Sequence, residues 1–157
     1  MSALRSFLRH AWTTRLCAWG LGLTFLAAAL PKLADPPGFA EAIHAYQLVP
    51  GAALAPMALV LPWLEGLVAL ALIAGFLRRN AALIAALLLA LFMAALAINL
   101  VHGHPVDCGC FGAAAPRSVA ERLRAMRLDL LRDGALMILA VLVLRSPSAQ
   151  DTGRPAP

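Results

Sequence analysis

Two thiols separated by one glycine stand in the segment His102-Gly103-His104-Pro105-Val106-Asp107-Cys108-Gly109-Cys110-Phe111-Gly112. In an extended chain two residues span about 6.6 Å between Cα atoms, the far edge of the disulfide window of about 4.4–6.8 Å, and Gly109 permits the turn that closes the gap. A ring so small is strained and easily reduced, which suits electron exchange with a partner better than structural stapling. A metal reading competes, because His102, His104, Asp107, Cys108 and Cys110 offer two imidazoles, a carboxylate and two thiolates suited to Zn or Cu(I). Against it, structural zinc spacing places two or more residues between cysteines. An inert thiol pair in a tight, glycine-containing loop is the third reading. A protonated His102 or His104 would favour a neighbouring thiolate and Asp107 would disfavour it, so the sequence leaves open which sulfur leads.

Glu65 is the second chemical anomaly, a carboxyl near the centre of an apolar run. Such a charge costs about 2.5–3.5 kcal/mol on insertion scales, so it must face other helices and be protonated or partnered. Asn99, Tyr46 and Lys32 are the candidate partners. Glu65 can relay protons, hydrogen-bond a quinone headgroup, or act as a polar clasp between helices. Lys32, following Pro31, reads as an interfacial anchor, Trp63 as packing, and Cys17 as a small hydrophobe at the opposite end of its span.

These residues need apolar helices to position them. Of 157 residues, 62% are hydrophobic and 13% charged, against about 45–50% and 25% for ordinary globular domains, and the mean hydropathy is +0.81. A soluble fold is thereby excluded. The net charge of +5 comes almost wholly from arginines at the ends of apolar runs, which places them at a bilayer surface and not in a nucleic-acid groove. Three cysteines are too few for a disulfide framework.

The expected fold is an all-α integral membrane four-helix bundle within residues 12–144. A basic cytoplasmic tail, 1–11, precedes it and a disordered tail, 145–157, follows. The first span lies between Arg15 and Lys32, lengthened by Trp12, and reads as retained, not as a cleaved signal. The second runs from Ala52 to Leu77 through Pro56 and Pro62, and the third from Ala81 to Val101. Between the first two, Phe39, Ile43 and Tyr46 recur at helical spacing and predict a short helix covering the outer mouth. In the last span Gly134 to Leu144 is too short alone. A capping box at Ser118 and Glu121 predicts a helix from about Val119, whose amphipathic lead-in, with Leu123, Met126, Leu130 and Leu131 on one face, turns into the membrane at about Leu128. Asp129, Arg132 and Asp133 would pair at spacings of three or four at the headgroup boundary. Abundant alanines allow close helix packing. Flanking charges predict cytoplasmic termini and a cytoplasmic second connection, with the Cys-Gly-Cys loop on the oxidising side. Five arginines from Arg117 to Arg132 weaken that asymmetry.

Phe25 to Lys32, Phe39 to Pro50, Leu61-Pro62-Trp63-Leu64-Glu65, Asn99 and Asp107-Cys108-Gly109-Cys110-Phe111-Gly112, taken in order, resemble the methylamine utilisation protein MauE group of the DoxX-like superfamily. The resemblance covers about residues 12–144. It implies a four-helix protein of the bacterial inner membrane. It also implies maturation of a disulfide-rich periplasmic dehydrogenase subunit alongside a thioredoxin-like partner, and DoxX relatives add an association with quinone-linked sulfur oxidation. What carries over by position is the Cys108/Cys110 pair and, beyond it, Glu65 and Lys32, while the methylamine substrate does not carry over with the fold. No Cys-x-x-Cys motif accompanies the pair. Electrons must therefore pass to a thioredoxin-like protein, a disulfide-containing client or a quinone, a logic similar to that of the vitamin K epoxide reductase family. The sequence-based expectation is a thiol/disulfide oxidoreductase with Cys108 and Cys110 reactive and Glu65, Lys32, Asn99 and Asp107 in support. A non-catalytic membrane assembly scaffold and His/Cys-loop metal handling are the alternatives.

Overall fold

The computed structural model of the chain describes residues 11–104, 106 and 118–146. Among the described residues five helices follow one another: α1 (Ala11–Ala34), α2 (Pro36–Ala45), α3 (Gly51–Ala74), α4 (Arg78–Val101) and α5 (Val119–Arg145). At about 1.5 Å per residue the four long ones each exceed the hydrocarbon thickness of about 30 Å. Three of them, α1, α3 and α4, are apolar enough to cross a membrane by composition. The fourth, α5, is charged up to Asp133, apolar from Gly134 to Leu144, and ends on Arg145. Among the described residues there is no strand, and the chain is an all-α membrane bundle.

The long helices close a ring in which α1 lies against α3 and α5, and α4 against the same two. Their common core is built from Leu21, Phe25, Leu72, Leu89 and Ala140 with many alanines. Small residues let backbones approach. At Gly22 a Cβ would lie 2.8 Å from Ile73 Cγ1 and 3.0 Å from the Ala69 carbonyl oxygen, so α1 and α3 touch almost backbone to backbone. Trp19 Nε1 donates to the Ile73 carbonyl at 3.0 Å, fixing the same contact. The early part of α1 therefore meets the last turns of α3, and α3 extends past the other end of α1. There α2 rests on it, burying Phe39 and Ile43 against Ala58. The short helix read from its periodicity is thus present, started by Asp35, whose carboxylate accepts from the Gly38 amide at 3.0 Å.

Two boundaries move. Gly75, at φ 76°, stops α3 three residues before Leu77, and α4 takes Arg78, Arg79 and Asn80 as its first turn. At α5 the capping box forms as read, with Ser118 and Glu121 bonding each other's backbone amides. Met126 is buried, and Leu123 and Leu130 pack beside it, but Leu131 is 72% exposed and lies on the outer face. Trp63 likewise faces outward at 63% exposed and does not fill the core. Cys17 is partly buried and packs against the core as the sequence suggested. The terminal tails, 1–10 and 147–157, fall outside the described residues.

Candidate functional site

Glu65, the fifteenth residue of α3, meets Lys32, the third from the end of α1. The ammonium donates to Oε1 at 2.7 Å and to Oε2 at 2.9 Å, and both side chains are 2% exposed. Lys32 is therefore no interfacial anchor. Its position near a helix end suggested a snorkelling side chain, but it sits on the inward face and turns toward the bundle. The chain itself closes the site over it, because the turn at Asp35 folds α2 back and brings Phe39 across the cation. Lys32 Nζ lies 4.9 Å from the Phe39 ring centroid and 5.1 Å from that of Phe92 on α4. Two aromatic faces and a bidentate carboxylate thus replace the water that a lysine normally keeps.

A second charged pair comes from α5. Arg132 donates through Nε and Nη2 to Asp133 Oδ1 at 3.0 and 2.9 Å, and its Nη1 lies 3.0 Å from Asp129 Oδ1. The Asp129 pairing has the expected spacing of three, but the Asp133 pairing joins neighbours in sequence. Asp133 is also 6% exposed, buried between helices. It lies within electrostatic reach of the Lys32 ammonium. Lys32, Glu65, Arg132 and Asp133 share the wall of one cavity of about 30 Å³, whose apolar side is Phe25 and Phe92. The cavity is small and mostly apolar, because the charged groups along it are turned to one another. The sequence reading missed Phe92, and it read Asp133 only as a partner of Arg132, not as a neighbour of Lys32 and Glu65. For Asp133 a signal existed in its place near the midpoint of the last helix. Phe92, one apolar residue in an apolar helix, carries none.

Asn99 takes another task. Its Nδ2 donates to the Tyr46 carbonyl at 3.2 Å and to the Ala95 carbonyl at 3.1 Å, tying the end of α2 to α4. Of the three candidate partners for Glu65, Lys32 is therefore its ion-pair partner, while Asn99 and Tyr46 are joined to each other. Exposed His102 places Nδ1 2.7 Å from the Ile98 carbonyl, and its ring stands 6.4 Å from that of His104, nearly perpendicular to it. Because a carbonyl only accepts, Nδ1 is the protonated nitrogen and Nε2 is left available. Among the described residues no three His, Cys, Asp or Glu side chains gather as metal ligands.

Asp107, Cys108 and Cys110 lie outside the described residues. Described residues stand on either side of them in sequence. Val106 is 5% exposed and packs with Leu96 of α4 and Met126 of α5, and Ser118 is the N-cap of α5.

Comparison with known proteins gives a consistent result. Residues 10–146 match the family described as methylamine utilisation protein MauE. The chain is 38% identical to the methylamine utilization protein MauE of Methylophilus methylotrophus over 122 residues, 77% of this chain and 64% of that protein. It is 39% identical to the MauE protein of Paracoccus denitrificans over 145 residues, 90% of this chain and 75% of that one. A similar protein from Methylorubrum extorquens is 40% identical over 90 residues, 57% of this chain and 48% of its own length. The matched part thus spans less than two thirds of the first relative. No solved structure matches.

Proposed function

The chain belongs to the methylamine utilisation protein MauE family, and from that premise we propose that it is a thiol/disulfide redox component of methylamine dehydrogenase maturation. It works in the bacterial inner membrane with the Cys-Gly-Cys segment on the periplasmic side. The observation carrying this reading is the anchorage of that segment: the eleven residues 107–117 run between Val106, packed against α4 and α5, and the capping residue of α5. A thiolate of Cys108 or Cys110 attacks a disulfide of a thioredoxin-like partner, forming a mixed disulfide and releasing one partner thiolate. The second thiol of the pair then displaces the other partner sulfur, so the partner gains two electrons and two protons and the pair becomes a disulfide. Run backwards, the same steps pass the disulfide from the pair to a dithiol of the partner or of a client whose disulfides are being formed.

Turnover requires a second redox partner, and a membrane quinone is the cofactor class we propose. The cavity beside Lys32 and Arg132, about 30 Å³, is too small to seat a quinone ring, so no seat for it is proposed there. Where the pair ends as a dithiol a quinone would accept its two electrons and two protons, and where it ends as a disulfide a quinol would supply them.

The test is the redox state of the pair in intact cells carrying Cys17→Ser, read with a membrane-impermeant thiol reagent before and after mild reduction. Labelling only after reduction is the expected result. Free thiols labelled without reduction would support a scaffold or metal-handling role, and labelling only after lysis would invert the proposed orientation. Full function of a Cys108→Ala/Cys110→Ala protein at normal abundance would replace the redox reading with the scaffold.

A further inference from the structure

At the far end of α3 from α2, an apolar groove of about 470 Å³ opens between α3 and α4, lined by Leu64, Leu67, Ala71, Phe76, Leu77 and Ile84 with Asn80 at its lip. The alanines facing it leave the space that larger side chains would fill. Between Leu77 and Asn80 stand Arg78 and Arg79. Among the described residues neither forms an ion pair, and no Asp or Glu occurs in the sequence between Glu65 and Asp107. Arg78 Nε is buried with no hydrogen-bond partner, and its guanidinium lies over Gly75 in the turn. Both arginines occupy the first turn of α4, where the helix dipole is itself positive, and the N-cap Leu77 supplies no side-chain acceptor.

We propose that this groove seats an acyl chain of an anionic phospholipid whose phosphate lies on Arg78 and Arg79. Charge complementarity selects the occupant. Two unpaired cations and an uncapped helix start concentrate positive potential at one end of a lipid-facing apolar slot, and an anionic headgroup joined to a hydrocarbon chain satisfies both parts. A zwitterionic lipid fills the slot but returns no net charge to the arginines. A free anion meets the arginines but leaves the slot unused.

Native mass spectrometry of the full chain, released from detergent after incubation with equimolar phosphatidylglycerol and phosphatidylcholine, tests this directly. One phosphatidylglycerol is expected to be retained per chain, with a preference on the order of tenfold over phosphatidylcholine, from two interfacial arginines. Arg78→Gln/Arg79→Gln is expected to abolish the preference and Arg78→Lys/Arg79→Lys to keep it. Ala74→Phe, which fills the groove with both arginines intact, is expected to lose the bound lipid. Should the glutamine variant fail to insert, the wild-type preference and the Ala74→Phe result decide the question. Equal retention of the two lipids, retention unaffected by Ala74→Phe, or complete displacement by inorganic phosphate would each overturn the proposal.

Discussion

Lys32 and Glu65 are each intolerable alone and acceptable together. Removing one partner of a buried ion pair leaves an uncompensated charge and costs about 3–5 kcal/mol, whereas replacing both by apolar residues of similar size is often neutral. Glu65→Leu and Lys32→Met are therefore each expected to lower unfolding stability in detergent by about that amount, and Lys32→Met/Glu65→Leu to recover most of the loss. Additive losses in the double variant would show that the two residues are not one unit. Glu65 was legible in the sequence because a carboxyl amid apolar residues must be buried or partnered wherever the helix sits. Lys32 was not, since a lysine near a helix end can snorkel outward or turn inward. Which it does here depends on the face it occupies and on Phe39, Phe92 and Glu65, which surround it only after three other helices have packed. Cys108 and Cys110 were conspicuous from their spacing alone, and their chemistry rests on sequence and family.

Helices here are held by what their small residues permit. Gly22 meets a backbone oxygen and Ile73 at separations that leave no room for a methyl group, so Gly22→Ala is expected to push α1 from α3 at a cost of about 1–3 kcal/mol. Gly66, one helix across, has nothing within 4 Å of its would-be Cβ. Gly66→Ala should be neutral or gain up to about 1 kcal/mol from helix propensity. Thermal unfolding of the two variants side by side checks both, and similar shifts would refute the close approach. The capping box fixed the start of α5 in advance because Ser118 and Glu121 act within four residues of each other. The start of α4 was less legible, because Arg78 and Arg79 mark a membrane surface without saying whether the helix begins before or after them.

Across the whole molecule, α5 is the one long helix whose composition does not suffice for crossing, and its charges are accommodated by pairing Arg132 with Asp129 and Asp133. With four crossings, reporters fused before residue 11 and after residue 146 are expected on the same side of the membrane. Opposite sides would mean that α5 does not cross. The three apolar spans followed from hydropathy, but not the ring order or the inward face of α5, since these depend on which small residues meet. The offset of α1 along α3, with the ion pair near the end of one helix and well inside the other, also has a kinematic meaning. A slide of α1 along α3 would disturb the bidentate Lys32–Glu65 contact between its two rings and the close approach of Gly22 to Ala69 and Ile73 together. Piston motion of α1 is thereby restrained at two separate levels of the bundle.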